Sequence, residues 1–532
     1  MKELIKEMVE SWSKNVDENR LELQSKLAKK IFDETNEGKL FLLNLPTGIG
    51  KTEIFLAPFL YQFRINEFFA GRMYIVEPNH ALLRQIRDRI ENYTRNIGEI
   101  VGEDHGDVEN PSFLYTAPIT LTTIDSFAYG FLAKRVNKWW QFGYETGRYT
   151  LPVGLMGNSY IVFDEAHLIQ DSVFLSPRVM GKIICNLVNS GAIVIFSSAT
   201  LPKALRERLT NECRNIKELN AENFTFKRNV KISFKKETLK DVECEGKTII
   251  IVNTVKKARD LYKYLKQKCK NKKVYILHSL MTIEDKSRTY ELLKNTKEDD
   301  VILIGTQTLE VGLDFSFNKL YTEISPIDSL IQRIGRVGRR EENRSEAIIF
   351  DVENNLPYMD SLLKKTREIL QENNGYEDLV SSIDKVYDED EVRKIEEKGD
   401  LFYTQFLEYL ENLHLFSYPP EDEVLIRPSN YITIFMIDDN TIISEKNDEL
   451  VLRKEELVNK SLRYSISAID SYSLNRLNKI LENKSVYIHS GEEKDVIHVR
   501  KSKLNNRVNT IYIKRHGIYD DAGLIIEMGE EK

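Results

Sequence analysis

Pro46-Thr47-Gly48-Ile49-Gly50-Lys51-Thr52, entered from the apolar run KLFLLNL and followed by KTEIFLAPFLYQF, decides how this chain is read. Strand, glycine-bearing loop and helix in that order make a phosphate cradle, in which backbone N–H groups and a helix N-terminus face an anion. Gly48 and Gly50 let the backbone come close, Lys51 reaches the β and γ phosphates of ATP, and the Thr52 hydroxyl ligates Mg²⁺. Thr47 to Thr52 is therefore the candidate nucleotide loop, Ile49 included. Leu45 stands where the strict G-x-x-x-x-G-K-[ST] pattern has its first glycine. A bare Gly-x-Gly-Lys-Thr can be an ordinary turn, and the flanking strand and helix weigh against that here.

Three further segments follow in order. Asp164 and Glu165, after the apolar strand YIVF, suit a water-mediated Mg²⁺ ligand and a general base beside the attacking water. An Asp-Glu pair can also simply cap a helix. His167 of the same DEAH segment either couples the ATP site to Ser198-Ala199-Thr200 or satisfies a backbone group. In IQRIGRVGRR, expected to open a helix after SPIDS, Gln332, Arg336 and Arg339 fall on a face that can meet the first α/β unit. Guanidinium groups there neutralise charge on a transferred phosphoryl group, which predicts an ATP site split between two domains. Clustered arginines are otherwise a solvated face or a nucleic-acid patch.

Around these motifs, KLFLLNL, RMYIVEP, ITLTTID, SYIVFDEAH and AIVIFSSAT alternate with helical patterns, and KTIIIVNT, KKVYILHS, DVILIGTQ, KLYTEIS and SEAIIFDV repeat the theme. Such alternation predicts two tandem α/β units with parallel sheets. The chain divides as 1–210 and 211–357 for these units, 358–420 for an acidic helical linker ending at Pro419 and Pro420, and 421–532 for a small mixed C-terminal domain. No run reaches the length of a membrane span and the N-terminus lacks a signal-like apolar core, so a cytoplasmic protein without membrane partners is expected. A net charge of −7 argues against coating DNA by bulk attraction and for a local groove. The four cysteines, far apart and without a CxxC pair, suggest neither zinc nor a disulfide framework.

With GTQTLEVGLDFSF (Gly305 to Phe317) and SPIDSLIQRIGRVGRR added, the motifs resemble superfamily 2 helicases, and among them the CRISPR-associated helicase of type I interference. Gly312 and Ser316 depart from that family's T-Q-x-x-E-x-S-L-D-x-D-F pattern; TTIDSFAYGFL, LHSLMTIEDKSR and YDDAGL add to the likeness, which covers residues 20 to 350. The resemblance implies two RecA-like domains and an ATP- and Mg²⁺-dependent motor on single-stranded DNA, RNA being the alternative track. It further implies that Gln24 contacts adenine, that Gly312 and Asp314 serve the nucleotide, ribose or hinge, and that Thr254 and Thr306 hold strand phosphates. Pro78, Asn79 and Thr123 would line the track on the first domain. Each threonine can equally be a helix N-cap.

Many relatives begin with an HD nuclease domain, yet about forty residues precede the phosphate loop here and no histidine is followed by Asp. The resemblance is therefore to the stand-alone helicase subunit, working with a separately encoded HD nuclease and an RNA-guided surveillance complex. Other readings are another superfamily 2 motor, such as an RNA helicase or restriction-type translocase, and an ATP switch that clamps nucleic acid without unwinding. The aromatic and basic stretch from Phe127 to Tyr149 is either core packing or a platform for stacked bases. Arg500, Lys501, Lys503, Arg507, Lys514 and Arg515 give the C-terminal domain local positive charge, and that domain is expected to be dispensable for nucleotide binding.

Overall fold

The structure is a computed structural model that describes residues 1–11, 17–45, 49–78, 80–95, 97–98, 100–105, 115–134, 146–198, 201–220, 230–295, 301–310, 315–338, 345–372, 375–416, 424–446, 448–469, 472–493, 495–502 and 509–525. Two compact units emerge, Met1–Lys227 with Ile383–Pro428, and Arg228–Ser382 with Ser429–Lys532. The chain thus passes from one unit to the other three times. The acidic helical segment does not stay together: its helix Asp360–Glu372 belongs to the second unit and its helix Asp400–Phe416 to the first.

The first unit is built on strands β1 (Lys39–Asn44), β2 (Met73–Glu77), β3 (Val101–Asp104), β4 (Ile119–Thr123), β5 (Tyr160–Phe163), β6 (Ile193–Ser198) and β7 (Ile216–Asn220). They pair in parallel in the order β3-β4-β2-β5-β6-β1-β7. Helices cover both faces of such a sheet, which is why β2, β4 and β5 are buried at every position and read as continuous apolar runs. In register, Asn44 lies beside Ser198 and Phe163 beside Phe196, so the loops after β1, β5 and β6 leave the same edge of the sheet. Ligands collect at that carboxyl edge in open α/β sheets.

Later residues complete this unit. Ser176 Oγ donates to the Ile426 carbonyl at 2.8 Å, Tyr409 OH to that of Leu132 at 2.8 Å, and Tyr129 OH to that of Val424 at 3.3 Å. Arg208 pairs with Glu389 and Glu396 at 2.8 and 2.7 Å. Phe127, Tyr129 and Phe131 are buried, and the Lys134 ammonium lies 4.5 Å from the centre of the Tyr409 ring. That end of the aromatic stretch is packing; residues 135–145, with Trp139 and Trp140, lie outside the described residues.

The second unit carries β8 (Val230–Thr238), β9 (Thr248–Ile251), β10 (Lys273–Leu277), β11 (Val301–Gly305), β12 (Lys319–Glu323) and β13 (Ser345–Asp351), parallel in the order β10-β11-β9-β12-β13-β8. A third sheet is mixed: β14 (Ser429–Ile437), β15 (Ile442–Lys446), β16 (Glu449–Arg453), β17 (Ser461–Ser467), β18 (Val486–Glu492), β19 (Val496–Ser502) and β20 (Thr510–Lys514) run in the order β15-β16-β19-β18-β20-β14-β17. Two parallel α/β domains and a mixed C-terminal domain are thus what the strand patterns predict.

The C-terminal residues are not an appendage. Ala522 sits in the core of the second parallel sheet, and Arg259 donates to the carbonyls of Ala522 and Gly523 at 2.7 and 2.6 Å. Gly523 has φ +89°, and a Cβ there would stand 2.7 Å from both His278 Cε1 and the Leu280 carbonyl oxygen, so only glycine fits. A truncation at Pro420 would therefore strip core from the second unit.

Two expectations are corrected. Cys185 is bonded to Cys213 and Cys244 to Cys269, with Cα separations of 4.6 and 5.6 Å. Tertiary packing, not sequence proximity, brings these pairs together: each closes a strand or helix excursion of 28 or 25 residues. The helix of the arginine motif spans Ile327–Ile334, starting inside SPIDS and ending at Gly335. Arg336 consequently lies in the turn beyond it, beside the bridge between Phe317 and Val337.

Candidate ATP and nucleic-acid site

Gly50, at φ +83°, turns the chain from the phosphate loop into the helix Lys51–Ile65, a left-handed conformation that glycine adopts without strain. The first helical residue, Lys51, is buried, and its ammonium lies 3.1 Å from Glu165 Oε1 across the edge of the sheet. Burial acts to lower the Lys51 pKa, but Glu165, Asp164 and Glu77 together outweigh it and hold the lysine charged. Asp164 follows β5 and its Oδ1 accepts from the Glu165 N–H at 3.0 Å. Burial pushes the Asp164 carboxyl upward, with Lys51 pulling the other way. Glu165 adopts φ +48°, a left-handed backbone that is costly for a residue with a Cβ. Strain held at such a point is a frequent mark of a functional side chain.

His167 Nδ1 lies 2.8 Å from Ser198 Oγ and 3.5 Å from Glu165 Oε2. Two of the expected coupling residues are therefore brought together beside the expected base. Thr200 lies outside the described residues, as do Thr47, Gly48, Asn79, Gly312, Asp314 and Arg339.

Gln24 is buried on the helix Glu18–Phe32, and its amide donates to the carbonyls of Ile49 at 2.9 Å and Gly50 at 3.3 Å. Arg20 Nε donates to the Ile49 carbonyl at 3.0 Å. Here these side chains fix the backbone of the phosphate loop. Glu53, wholly buried one residue beyond Thr52, pairs with Arg89 and accepts from Tyr93 OH at 2.7 Å, while Arg89 Nη1 lies 3.4 Å from Thr52 Oγ1. Sequence reasoning passed over Arg20, Glu53, Arg89 and Tyr93; a glutamate on an otherwise apolar helix face, where an unpaired charge is expensive, was the available signal. Glu77, at the end of β2, was missed as well. Burial, with the charges of Asp164 and Glu165, drives its carboxyl well above the usual range.

Asp164 and Thr52 offer hard oxygen donors of the kind Mg²⁺ takes together with waters and phosphate oxygens. Among the described residues no group of three or more His, Cys, Asp or Glu could cage a metal alone.

In the second unit Thr254 caps the helix Val255–Lys268, accepting from the Lys257 N–H at 3.3 Å. Thr306 is buried at the end of β11. Thr123, in the first unit, caps the helix Ile124–Phe131, and Pro78 is half-buried after β2. Gln332 is half-buried on its helix, and the Arg336 guanidinium donates to the Glu310 carbonyl. Arg333, which the motif reading did not single out, is fully buried.

A phosphate loop after β1, a DEAH segment after β5 at the same edge of the sheet and a second parallel α/β unit define a helicase-type ATPase. Residues 22–208 match the DEAD/DEAH box helicase family, and residues 244–342 match the CRISPR-associated nuclease/helicase Cas3, C-terminal. The CRISPR-associated helicase Cas3 of Thermoproteus tenax is 41% identical over 553 residues, covering 98% of this chain and 95% of that one. The chain belongs to the CRISPR-associated Cas3 helicase family. A putative CRISPR-associated nuclease/helicase Cas3 of Methanocaldococcus jannaschii is 26% identical over 68% of this chain, which spans 54% of that protein. Of solved structures, Cas3 of T. fusca with AMPPNP has the same fold, with a TM-score of 0.63 and 17% identity over 86% of this chain and 65% of that one. Among the described residues, no helix is long and apolar enough to cross a membrane.

Proposed function

We propose that this chain is an ATP-driven translocase and helicase on single-stranded DNA in type I CRISPR interference, recruited by an RNA-guided surveillance complex and served by a separately encoded HD nuclease. The observation that carries the reading is the pair of the buried Lys51 with the half-buried Glu165 at the carboxyl edge of the first sheet, with Asp164 and Thr52 next to them in the chain. ATP phosphates recruit Lys51 away from Glu165, and the released carboxylate is then able to accept a proton from the attacking water. Asp164 and Thr52 would hold Mg²⁺, which supplies charge neutralisation at the phosphates. Gln24 and the loop Thr47 to Thr52 seat the nucleotide; Gln332, Arg336 and Arg339 supply donors to the developing charge. Pro78, Asn79, Thr123, Thr254 and Thr306 contact the strand backbone, and His167, Ser198 and Thr200 link the two events. Gly312 and Asp314 belong to the nucleotide side.

The nuclease assignment is supported by the printed name of the Thermoproteus tenax relative, which is a helicase without mention of a nuclease. Purified protein is expected to hydrolyse ATP with single-stranded DNA as activator, to move along or unwind it, and not to cut it. Equal activation by RNA of the same sequence, or metal-dependent cutting by a preparation free of trace nucleases, would overturn the corresponding part of the proposal.

A further inference from the structure

Arg333 is the largest fully buried side chain of the described residues, and several of its contacts lead to residues beside those read as functional. Its Nε donates to Glu310 Oε1 at 2.8 Å, and its Nη1 to Asn253 Oδ1, Thr322 Oγ1 and the Glu323 carbonyl at 3.0 Å each. Its Nη2 donates to Tyr358 OH at 2.8 Å, and the same phenol oxygen accepts from Gln307 Nε2 at 3.0 Å. Glu310 Oε1 accepts from Ser329 Oγ at 2.6 Å, and the Glu310 carbonyl holds the Arg336 guanidinium.

Asn253 and Gln307 each adjoin one of the two threonines read as strand contacts, Thr254 and Thr306. Glu310 touches both Arg333 and Arg336. One buried guanidinium therefore joins the two strand-facing loops to the arginine that serves the nucleotide, and Tyr358 closes the circuit from a segment outside every motif. In a low-dielectric interior such a network is rigid, because losing any bond leaves a desolvated polar group unpaired.

We propose that Tyr358 and Arg333 are positioning residues that couple nucleic acid at Thr254 and Thr306 to the placement of Arg336, so that strand binding sets the hydrolysis rate. This rests on the function proposed above. Movement of either loop shifts Asn253 or Gln307, and the shared guanidinium and phenol pass that shift to Glu310 and the turn that carries Arg336.

The test is Tyr358→Phe, which keeps the ring and removes one hydroxyl. ATPase rates are measured with and without saturating single-stranded DNA, alongside the melting temperature and the anisotropy of labelled DNA with and without AMPPNP. Loss of the two hydrogen bonds that the phenol oxygen accepts predicts a fall in maximal stimulation of roughly fivefold or more. Basal hydrolysis is expected to stay within about twofold. By linkage, the factor by which AMPPNP alters DNA affinity should move toward one. Arg333→Lys, which keeps the charge but loses the fork, should give a deeper loss of stimulation. If wild-type hydrolysis ignores single-stranded nucleic acid, the proposed function and this coupling both fall. If wild type is stimulated and Tyr358→Phe is stimulated equally, or if its basal and stimulated rates fall together with the melting temperature, the coupling role alone is overturned.

Discussion

Reducing the two disulfides should weaken the units separately, because Cys185–Cys213 lies within the first and Cys244–Cys269 within the second. In the chain-entropy account, a cross-link stabilises by the loop entropy it removes from the unfolded chain, which grows only as the logarithm of loop length. Separations of 28 and 25 residues therefore give nearly equal contributions, about 3.5 kcal/mol each. With a urea slope near the top of the usual range, about 3 kcal/mol/M, each loss should lower its unit's midpoint by about 1 M. Cys185→Ala/Cys213→Ala and Cys244→Ala/Cys269→Ala would be compared with the parent by urea titration, with and without reductant. Each double variant should shift one transition, and reductant should shift only the remaining one further. Four reactive thiols in unreduced, denatured parent protein would refute the pairing. Midpoints indifferent to both substitution and reductant would refute the entropic reasoning. Persisting intracellular disulfides are characteristic of hyperthermophiles, so the bonds are expected to survive expression in a reducing cytosol only if burial shields them; Cys185 and Cys269 are buried.

Lys51→Ala and Glu165→Gln should each abolish DNA-stimulated ATP hydrolysis without unfolding the protein, as read by malachite-green phosphate release and circular dichroism. Because Glu165 is left-handed, Glu165→Gly should be more stable than Glu165→Gln by about 1 kcal/mol while equally inactive, which thermal melts can decide. Gly523→Ala should destabilise the second unit by roughly 2 kcal/mol or more, since it meets His278 and Leu280 at a strained φ. His278 is held neutral: burial brings its pKa down to about 4, although its Nε2–H donates to the Ala522 carbonyl at 2.8 Å. The unfolded chain takes up that proton at a higher pH than the folded one, so this contribution to stability is complete above about pH 6.5 and is lost as pH falls toward 4. Urea midpoints of wild type and His278→Gln should converge as the pH drops through that window; a constant gap would contradict the shift.

Most of the architecture was legible because parallel strands buried on both faces leave unbroken apolar runs, as in YIVF and VILIG, and because the phosphate loop sits between one such run and a helix. The contact between His167 and Ser198 is one of the two readings the sequence left open for that histidine, and it forms where both residues leave neighbouring strands at one edge. The disulfides were not legible, because spacing along the chain says nothing of which helix ends meet. Nor was the burial of Arg333. On the helix Ile327–Ile334 only Asp328 and Gln332 are half-buried and the rest are buried, so the helix is enclosed nearly all round and its pattern does not mark one inward side for the arginine. Where the C-terminal residues pack is a long-range matter: nothing in YDDAGL indicates that its alanine, Ala522, completes a core begun at Leu239.

The threefold passage of the chain between units sets an order of assembly during synthesis. All strands of the first sheet exist once Asn220 has been made, yet the partners of Ser176, Arg208 and Tyr129 arrive only with Glu389 to Ile426. At about 5–20 residues per second, some 200 intervening residues occupy roughly 10–40 s. For that interval the nascent first unit presents an unfinished surface around the helix Leu175–Asn189, while the second unit is still emerging without Ser429–Lys532. Neither unit is complete before the other has largely been translated, so a ribosome stalled between Ser382 and Pro428 holds two incomplete domains, both candidates for chaperone capture.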